Sequence, residues 1–393
     1  MAEAYIVSAV RTAGGRRNGR LSGWHPVDLA AQVLNALLDR SAAPPELIDD
    51  VIMGCVSQVG QQSTNVARSA VLASRFPESV PATTVDRQCG SSQQALHFAA
   101  QAVMSGAMDI VVASGVESMS RVPMGLPVTL PEKQGFGTYI SPGVLERYPN
   151  VVFSQFSSAE MIADKYGLSK DTLDEFAHAS QQRAINATQA GKFKEEIIAL
   201  EARGPDGKAL GGWHEVDEGI RFDVSLQGIR DVKRIIEGGR LTAATASQVC
   251  DGASAVLIVN ETGLKRLNAT PMARVHQMTV IGADPLIMLE TPIAATQTAL
   301  AKAGLKINDI DLFEVNEAFA SIPLAWQKAM DADPALVNVN GGAIALGHPL
   351  GSSGTKLMTT LLHALKDRGK RYGLQTMCEG GGLANVTIVE RLS

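Results

Sequence analysis

Residues 89–103, CGSSQQALHFAAQAV, and residues 350–365, LGSSGTKLMTTLLHAL, write one pattern twice. Gly90-Ser91-Ser92 matches Gly351-Ser352-Ser353, and each turn runs into apolar residues at the three-and-four spacing of a helix. An apolar strand ending in glycine follows each helix, DIVVASGVE at 109–117 and YGLQTMCEGGG at 372–382. Upstream, residues 25–54 echo residues 291–316: a helix, a short linker, then a strand opened by acidic residues. Three matched landmarks in the same order read as a duplication. The alternation of short strands with amphipathic helices calls for an α/β architecture, central sheets covered by helices.

Working outward, strands are expected at AYIVSAV, DDVIMGC, ATTVDRQ and DIVVASG in the first half. In the second they are expected at ARVHQMTVIGA, IDLFEVN, ALVNVN, YGLQTMC and NVTIVERL. This divides the chain into a first half (1–119 and 246–270), an insert (120–245) and a second half (271–393). The insert lacks the repeat, opens with Pro123, Pro127, Pro131, Pro142 and Pro149, and continues into helical sequence. Such an insert can shape a pocket without disturbing a core. Its run RGPDGKALGGWHEVDEG reads as a solvated hairpin.

The chain has 393 residues, 45% hydrophobic and 19% charged, with a net charge of −5. That balance is globular and argues against a nucleic-acid footprint. No run of 18 apolar residues suggests membrane insertion, and neither end reads as a secretory or peroxisomal signal, so a cytoplasmic protein is expected. The four cysteines, 55, 89, 250 and 378, form no CxxC pair, and the histidines do not cluster, so no metal site is expected.

Four segments carry chemistry. In TTVDRQCGSSQQAL a strand ends at a turn and Cys89 opens the next helix, where backbone N–H groups and the helix dipole are expected to favour its thiolate. In NVNGGAIALGHPLGSSG, glycines crowd around His348, which beside a thiol can take its proton and then hold an oxyanion. In TMCEGGGLAN, Cys378 precedes three glycines, a second thiol suited to moving a proton at carbon. In EVNEAFA, Asn316 ends a strand, where it could hold a water or a carbonyl oxygen. Cys55 and Cys250 have no such company and read as structural.

VDRQCGSSQQA, NEAFA, NGGAIALGHPLGSSG and CEGGG, in this order, resemble the thiolase family, and the likeness covers nearly the whole chain. It implies two βαβαβαββ halves in a five-layered αβαβα core with a lid inserted in the first half, working as a homodimer or homotetramer. It implies acyl transfer to Cys89, activation by His348, proton transfer by Cys378, and one oxyanion hole of His348 with an Asn316-held water. The backbone of Cys89 and Gly380 would form the other hole. Coenzyme A, a co-substrate rather than a resident cofactor, would touch Ser247, Arg221, Phe319, Ala318 and Ala246. The pattern looks like degradative thiolases of actinobacterial lipid and steroid catabolism. Short-chain biosynthetic thiolases carry His-Met-Gly-Thr-Thr-Ala-Glu where this chain has SQFSSAE (154–160), so a bulkier 3-ketoacyl-CoA is expected. The alternatives are a biosynthetic acetoacetyl-CoA thiolase, a ketoacyl synthase, which would lack a catalytic thiol at 378, and a silent acyl-CoA-binding homologue.

Overall fold

The computed structural model describes residues 2–392. Strand β1 (Tyr5–Thr12) leads to α1 (Pro26–Ser41), β2 (Asp50–Gly54), α2 (Val66–Leu72), β3 (Ala82–Val85), α3 (Ser91–Ser105) and β4 (Ile110–Ser118). A long excursion follows, with α4 (Leu126–Lys133), α5 (Pro142–Arg147), α6 (Gln155–Lys165), α7 (Lys170–Gln189), the hairpin β5 (Leu200–Arg203) and β6 (Ala209–His214), and α8 (Leu226–Arg230). The chain then returns through β7 (Cys250–Val259) and α9 (Glu261–Leu267). The second half runs β8 (Ala273–Gly282), α10 (Thr291–Ala303), β9 (Leu312–Val315), α11 (Ser321–Met330), α12 (Ala343–Leu346), α13 (Ser353–Asp367), β10 (Tyr372–Glu379) and β11 (Leu383–Arg391).

The strands run β9-β10-β11-β8-β1-β7-β4-β2-β3. Within each half the parallel core is the same: β4 pairs β2 as β10 pairs β9. Each core is closed by one antiparallel strand, β7 against β4 and β11 against β10. The halves meet at a narrow seam, Tyr5 opposite Arg274 and Ile6 opposite Ala273. One offset of 261 residues relates Asp50 to Asp311, Cys89 to Leu350 and Glu117 to Cys378, which is the duplication expressed as geometry.

Period-two alternation sorts the strand side chains between layers. Ile110, Val112 and Leu257 pack outward against α1, whereas Val111, Ala113 and Val256 face α3 and α13. On the far side Phe313, Leu374 and Ile388 pack with Trp326 of α11, the Phe313 and Trp326 rings edge to face at 5.2 Å. The result is the five-layered αβαβα arrangement that the resemblance implies, with α3 and α13 as the central layer. Small residues let those helices approach: a Cβ on Gly354 would lie 2.0 Å from the Gln93 nitrogen, and Ser92 Oγ accepts from Thr355 N at 3.0 Å.

Two expectations need correction. ALVNVN forms a single 3-10 turn, Pro334–Leu336, and one isolated bridge from Val337 to Phe313, so the second half lacks a counterpart of β3 as a strand. Strand β7 was not among the expected strands; its sequence, CDGASAVLIV, opens with small residues that carry little alternation, yet all ten residues are buried. The expected hairpin is present as β5–β6: β6 is exposed except for His214, whose Nε2 lies 3.0 Å from the Ala13 carbonyl, while Leu200 and Ala202 of β5 are buried. Among the described residues no helix is long and apolar enough to cross a membrane.

Candidate active site

The turn that carries Cys89 is built from Asp86 to Ser91. Gln88 adopts φ 49°, a left-handed conformation uncommon for a side-chain-bearing residue. Asp86 Oδ1 accepts from Gln88 N at 2.7 Å, and Ser91 Oγ accepts from Arg87 N at 2.9 Å while donating to the Gln88 carbonyl at 2.6 Å. Hydrogen bonds on both sides hold this strained step in place. Cys89 therefore sits two residues before helix α3, part-exposed rather than inside its first turn.

Strand β9 ends immediately before Asn316, and its partner β10 ends with Cys378 and Glu379. Asn316 Nδ2 lies 3.4 Å from His348 Nε2. The same side chain hydrogen-bonds the Cys378 thiol in the sense that favours the thiolate. Cys378 is close enough to Cys89 for each charge to disfavour the other, and Gly380 lies beside Gln88, to which a Cβ on it would approach within 3.2 Å. The structure thus brings Cys89, Asn316, His348, Cys378 and Gly380 together from four separate stretches of chain.

The hydrogen bonds around His348 assign its tautomer. Ser353 Oγ donates its proton to the Pro349 carbonyl at 3.0 Å, so it accepts from His348 Nδ1, 2.5 Å away. That leaves Nε2 with its lone pair facing Asn316 and the site. Burial, and then the nearby Lys356 cation, push His348 down to about 3, so the ring is neutral across the physiological range. Lys356 Nζ in turn donates to the carbonyls of Leu346 (2.5 Å) and Gly347 (2.9 Å), fixing the backbone into His348. Neither Ser353 nor Lys356 was among the expected site residues. The matched GSSG motif pointed at the first without indicating what it touches. Ser353→Ala should lower turnover about tenfold with little change in KM, because the ring loses the acceptor that selects its tautomer. Steady-state kinetics of the purified variant test this, and an unchanged kcat would remove Ser353 from the site.

The helix-end effect expected at Cys89 is opposed by its surroundings. Burial pushes its thiol up to about 12, Glu379 adds to the rise, and the local backbone N–H only partly opposes them. Cys378 is also held well above the usual thiol range, by burial first and then by Cys89 and Glu379. The resting centre is two neutral thiols and a neutral imidazole.

Ser247, Ala246, Ala318 and Phe319 form one small ladder. Ser247 N donates to the Ala318 carbonyl at 2.9 Å, and Ala246 bridges Phe319. Next to it opens a cleft of about 200 Å³ whose lining includes Arg221, Ala244, Gln248 and Ile344. Gln248 ties this cleft to the centre, its carbonyl accepting from His348 N at 3.1 Å. Of the SQFSSAE stretch, Ser154 caps α6, Ser158 Oγ accepts from Leu289 N at 3.1 Å, and Glu160 accepts from Arg240 N and Leu241 N. Phe156 instead meets Phe319 edge to face, ring centroids 5.4 Å apart. Both rings pack in the apolar cluster that contains Cys378, Met288 and Leu289.

The thiolase N-terminal domain family matches residues 4–262 and the thiolase C-terminal domain family matches residues 269–391. The chain is 52% identical to the steroid 3-ketoacyl-CoA thiolase FadA6 of Mycobacterium tuberculosis, over 100% of this chain and 95% of that protein. It is 42% identical to a 3-ketoacyl-CoA thiolase of Pseudoalteromonas translucida, over 98% of both chains. The crystal structure of human mitochondrial 3-ketoacyl-CoA thiolase superimposes with a TM-score of 0.88 at 35% identity, covering 100% of this chain and 99% of that one. With matches that span both halves and relatives aligned over their full length, the chain belongs to the thiolase family.

Proposed function

We propose that the protein is a degradative 3-ketoacyl-CoA thiolase that splits its substrate by way of an acyl-Cys89 intermediate. The observation that carries the reading is the convergence of two thiols, one uncharged imidazole base and Asn316 on one centre. Cys89 Sγ attacks the 3-keto carbon as its proton passes to His348 Nε2. The tetrahedral oxyanion collapses, the bond between C2 and C3 breaks, and the acetyl-CoA enolate takes its proton from the Cys378 thiol. Incoming CoA gives its thiol proton to the Cys378 thiolate and attacks the acyl-Cys89 carbonyl. Cys89 leaves and recovers its proton from His348. His348 with an Asn316-held water serves one oxyanion, and the N–H groups of Cys89 and Gly380 serve the other; each such donor is worth about 3–4 kcal/mol.

Between the half-reactions the site holds a Cys378 thiolate and a protonated His348, opposite charges that offset each other in a buried site, and both return to neutral as the cycle closes. CoA enters as co-substrate, its pantetheine arm along Ser247, Ala246, Ala318 and Phe319 and its nucleotide toward Arg221, with no resident cofactor needed. Residues 120–245 act as the lid on that cleft. The working form is a cytoplasmic homodimer or homotetramer, and the four unpaired cysteines fit a reducing compartment.

The acyl group is bulky, of fatty-acid or sterol-fragment kind. Support comes from the steroid enzyme among the relatives and from the aromatic wall of Phe156 and Phe319 beside Cys378. Each buried methylene is worth about 0.8 kcal/mol, so a 3-ketoacyl-CoA several carbons longer than acetoacetyl-CoA should show kcat/KM at least about tenfold higher. CoA-dependent thiolysis of a chain-length and ring-bearing panel measures this. Preference for acetoacetyl-CoA would leave the thiolase reading intact and sink the bulky-substrate one.

A further inference from the structure

Two glutamates are buried against the two turn glycines of the central layer, and they are treated very differently. Glu117 lies against Gly351 and is saturated: it accepts from Val56 N (2.9 Å), Ser57 N (3.1 Å), Gln62 Nε2 (2.7 Å) and Gly351 N (2.9 Å). Glu379 lies against Gly90, the residue after the nucleophile. A Cβ on Gly90 would fall 1.9 Å from Glu379 Oε1, so the carboxyl fills the space a side chain there would need. Glu379 is fully buried, and apart from a weak approach of the Asn385 N–H its oxygens have no hydrogen-bond partner among the described residues.

A bare buried carboxylate costs several kcal/mol, so such a group persists where its neutral form is used or its charge is put to work. The fold itself does not require it. The 261-residue offset places Ser118 at the corresponding position of the first half, where its hydroxyl is hydrogen-bonded to Asp251 at 3.3 Å. Nor does the thiolysis cycle above use it.

We propose that Glu379 is a positioning residue that governs the nucleophile: as a neutral acid it seats the Cys89–Gly90 turn, and its ionisation suppresses the Cys89 thiolate. The groups facing it are Arg87 on the same turn, which favours its charge, the Asn385 N–H of β11, which does so weakly, and the two thiols, Cys89 and Cys378. Asp86 and Glu117 also face Cys89 and act in the same sense as Glu379. Burial outweighs Arg87 and pushes the Glu379 carboxyl up to about 8. Below that pH the carboxyl is protonated and its share of the opposition to the thiolate is removed; above it, a fixed negative charge sits beside the sulfur.

This rests on Cys89 as the reacting thiol, but the test needs no substrate. The rate of Cys89 carbamidomethylation by iodoacetamide would be followed by peptide mass spectrometry from pH 6.5 to 9.5, in the wild type, E379Q and E379D. The expected wild-type profile rises with pH and bends downward near pH 8. E379Q should lose the bend and exceed the wild type about tenfold at pH 9.5, the size of one pKa unit. E379D should restore a bend. Superimposable profiles, or an E379Q profile lowered equally at every pH as a packing defect would give, would overturn the proposal. Absence of thiolysis with the bend intact would instead fault the thiolase reading alone.

Discussion

Cys89→Ala is expected to abolish thiolysis, lowering kcat/KM by at least about 10⁴-fold, because the route through a covalent intermediate is closed rather than slowed. The remaining groups cannot substitute. His348 is an uncharged base with nothing to deprotonate, and Cys378 is already tied to Asn316 and held well above the usual thiol range. Fold and CoA affinity should survive, since the Asp86–Ser91 turn is held by Asp86 and Ser91 rather than by the sulfur. The decisive measurement is intact-protein mass after mixing with a 3-ketoacyl-CoA and no free CoA. The wild type should gain the mass of the shortened acyl group, and the variant should gain nothing. An acyl adduct that persists in Cys89→Ala, mapped to Cys378, would reverse the roles assigned to the two thiols.

Cys378→Ala should separate the two halves of the reaction. Loss of the group that protonates the enolate is expected to lower overall turnover by about 10³-fold, within the range for general acid–base groups. Exchange of labelled CoA into acetyl-CoA should be lowered far less. That exchange breaks no carbon–carbon bond: Cys378 there handles only the proton of the CoA sulfur, which water or buffer can carry, rather than a proton on carbon. The variant also removes one partner of Asn316, whose Nδ2 remains 3.4 Å from His348 Nε2. Equal loss of both activities would show that Cys378 shapes the site rather than transferring a proton.

The duplication was legible because the central helices must pass close to each other, and only glycine and serine allow it at 90–92 and 351–354. Those residues therefore stand out from an otherwise apolar pattern. The four segments that meet at the centre were legible for a related reason, since each sits at a strand end or a glycine turn. What the residues touch was not. Ser353 and its twin Ser92 look identical in sequence, yet one receives the imidazole and the other receives Thr355 N. Helix position suggested an acidic Cys89, but burial and Glu379 decide its state, and neither has a local sequence signature. Strand β7 escaped notice because it is buried on both faces and shows no alternation.

That strand has a consequence for how the protein comes into being. It lies between β1 and β4 in the sheet but follows β4 by about 130 residues in the chain. On a translating ribosome, the first half waits on the order of 10 s for its own middle to emerge. Throughout that interval β1 and β4 carry open hydrogen-bonding edges, templates for wrong partners. The intervening helices α6 and α7, each started by its own serine cap, can form early and draw the ends of the excursion together. Biogenesis of this enzyme is therefore most vulnerable to aggregation between the synthesis of β4 and of β7. Nascent chains stalled in that window are the ones a chaperone would hold.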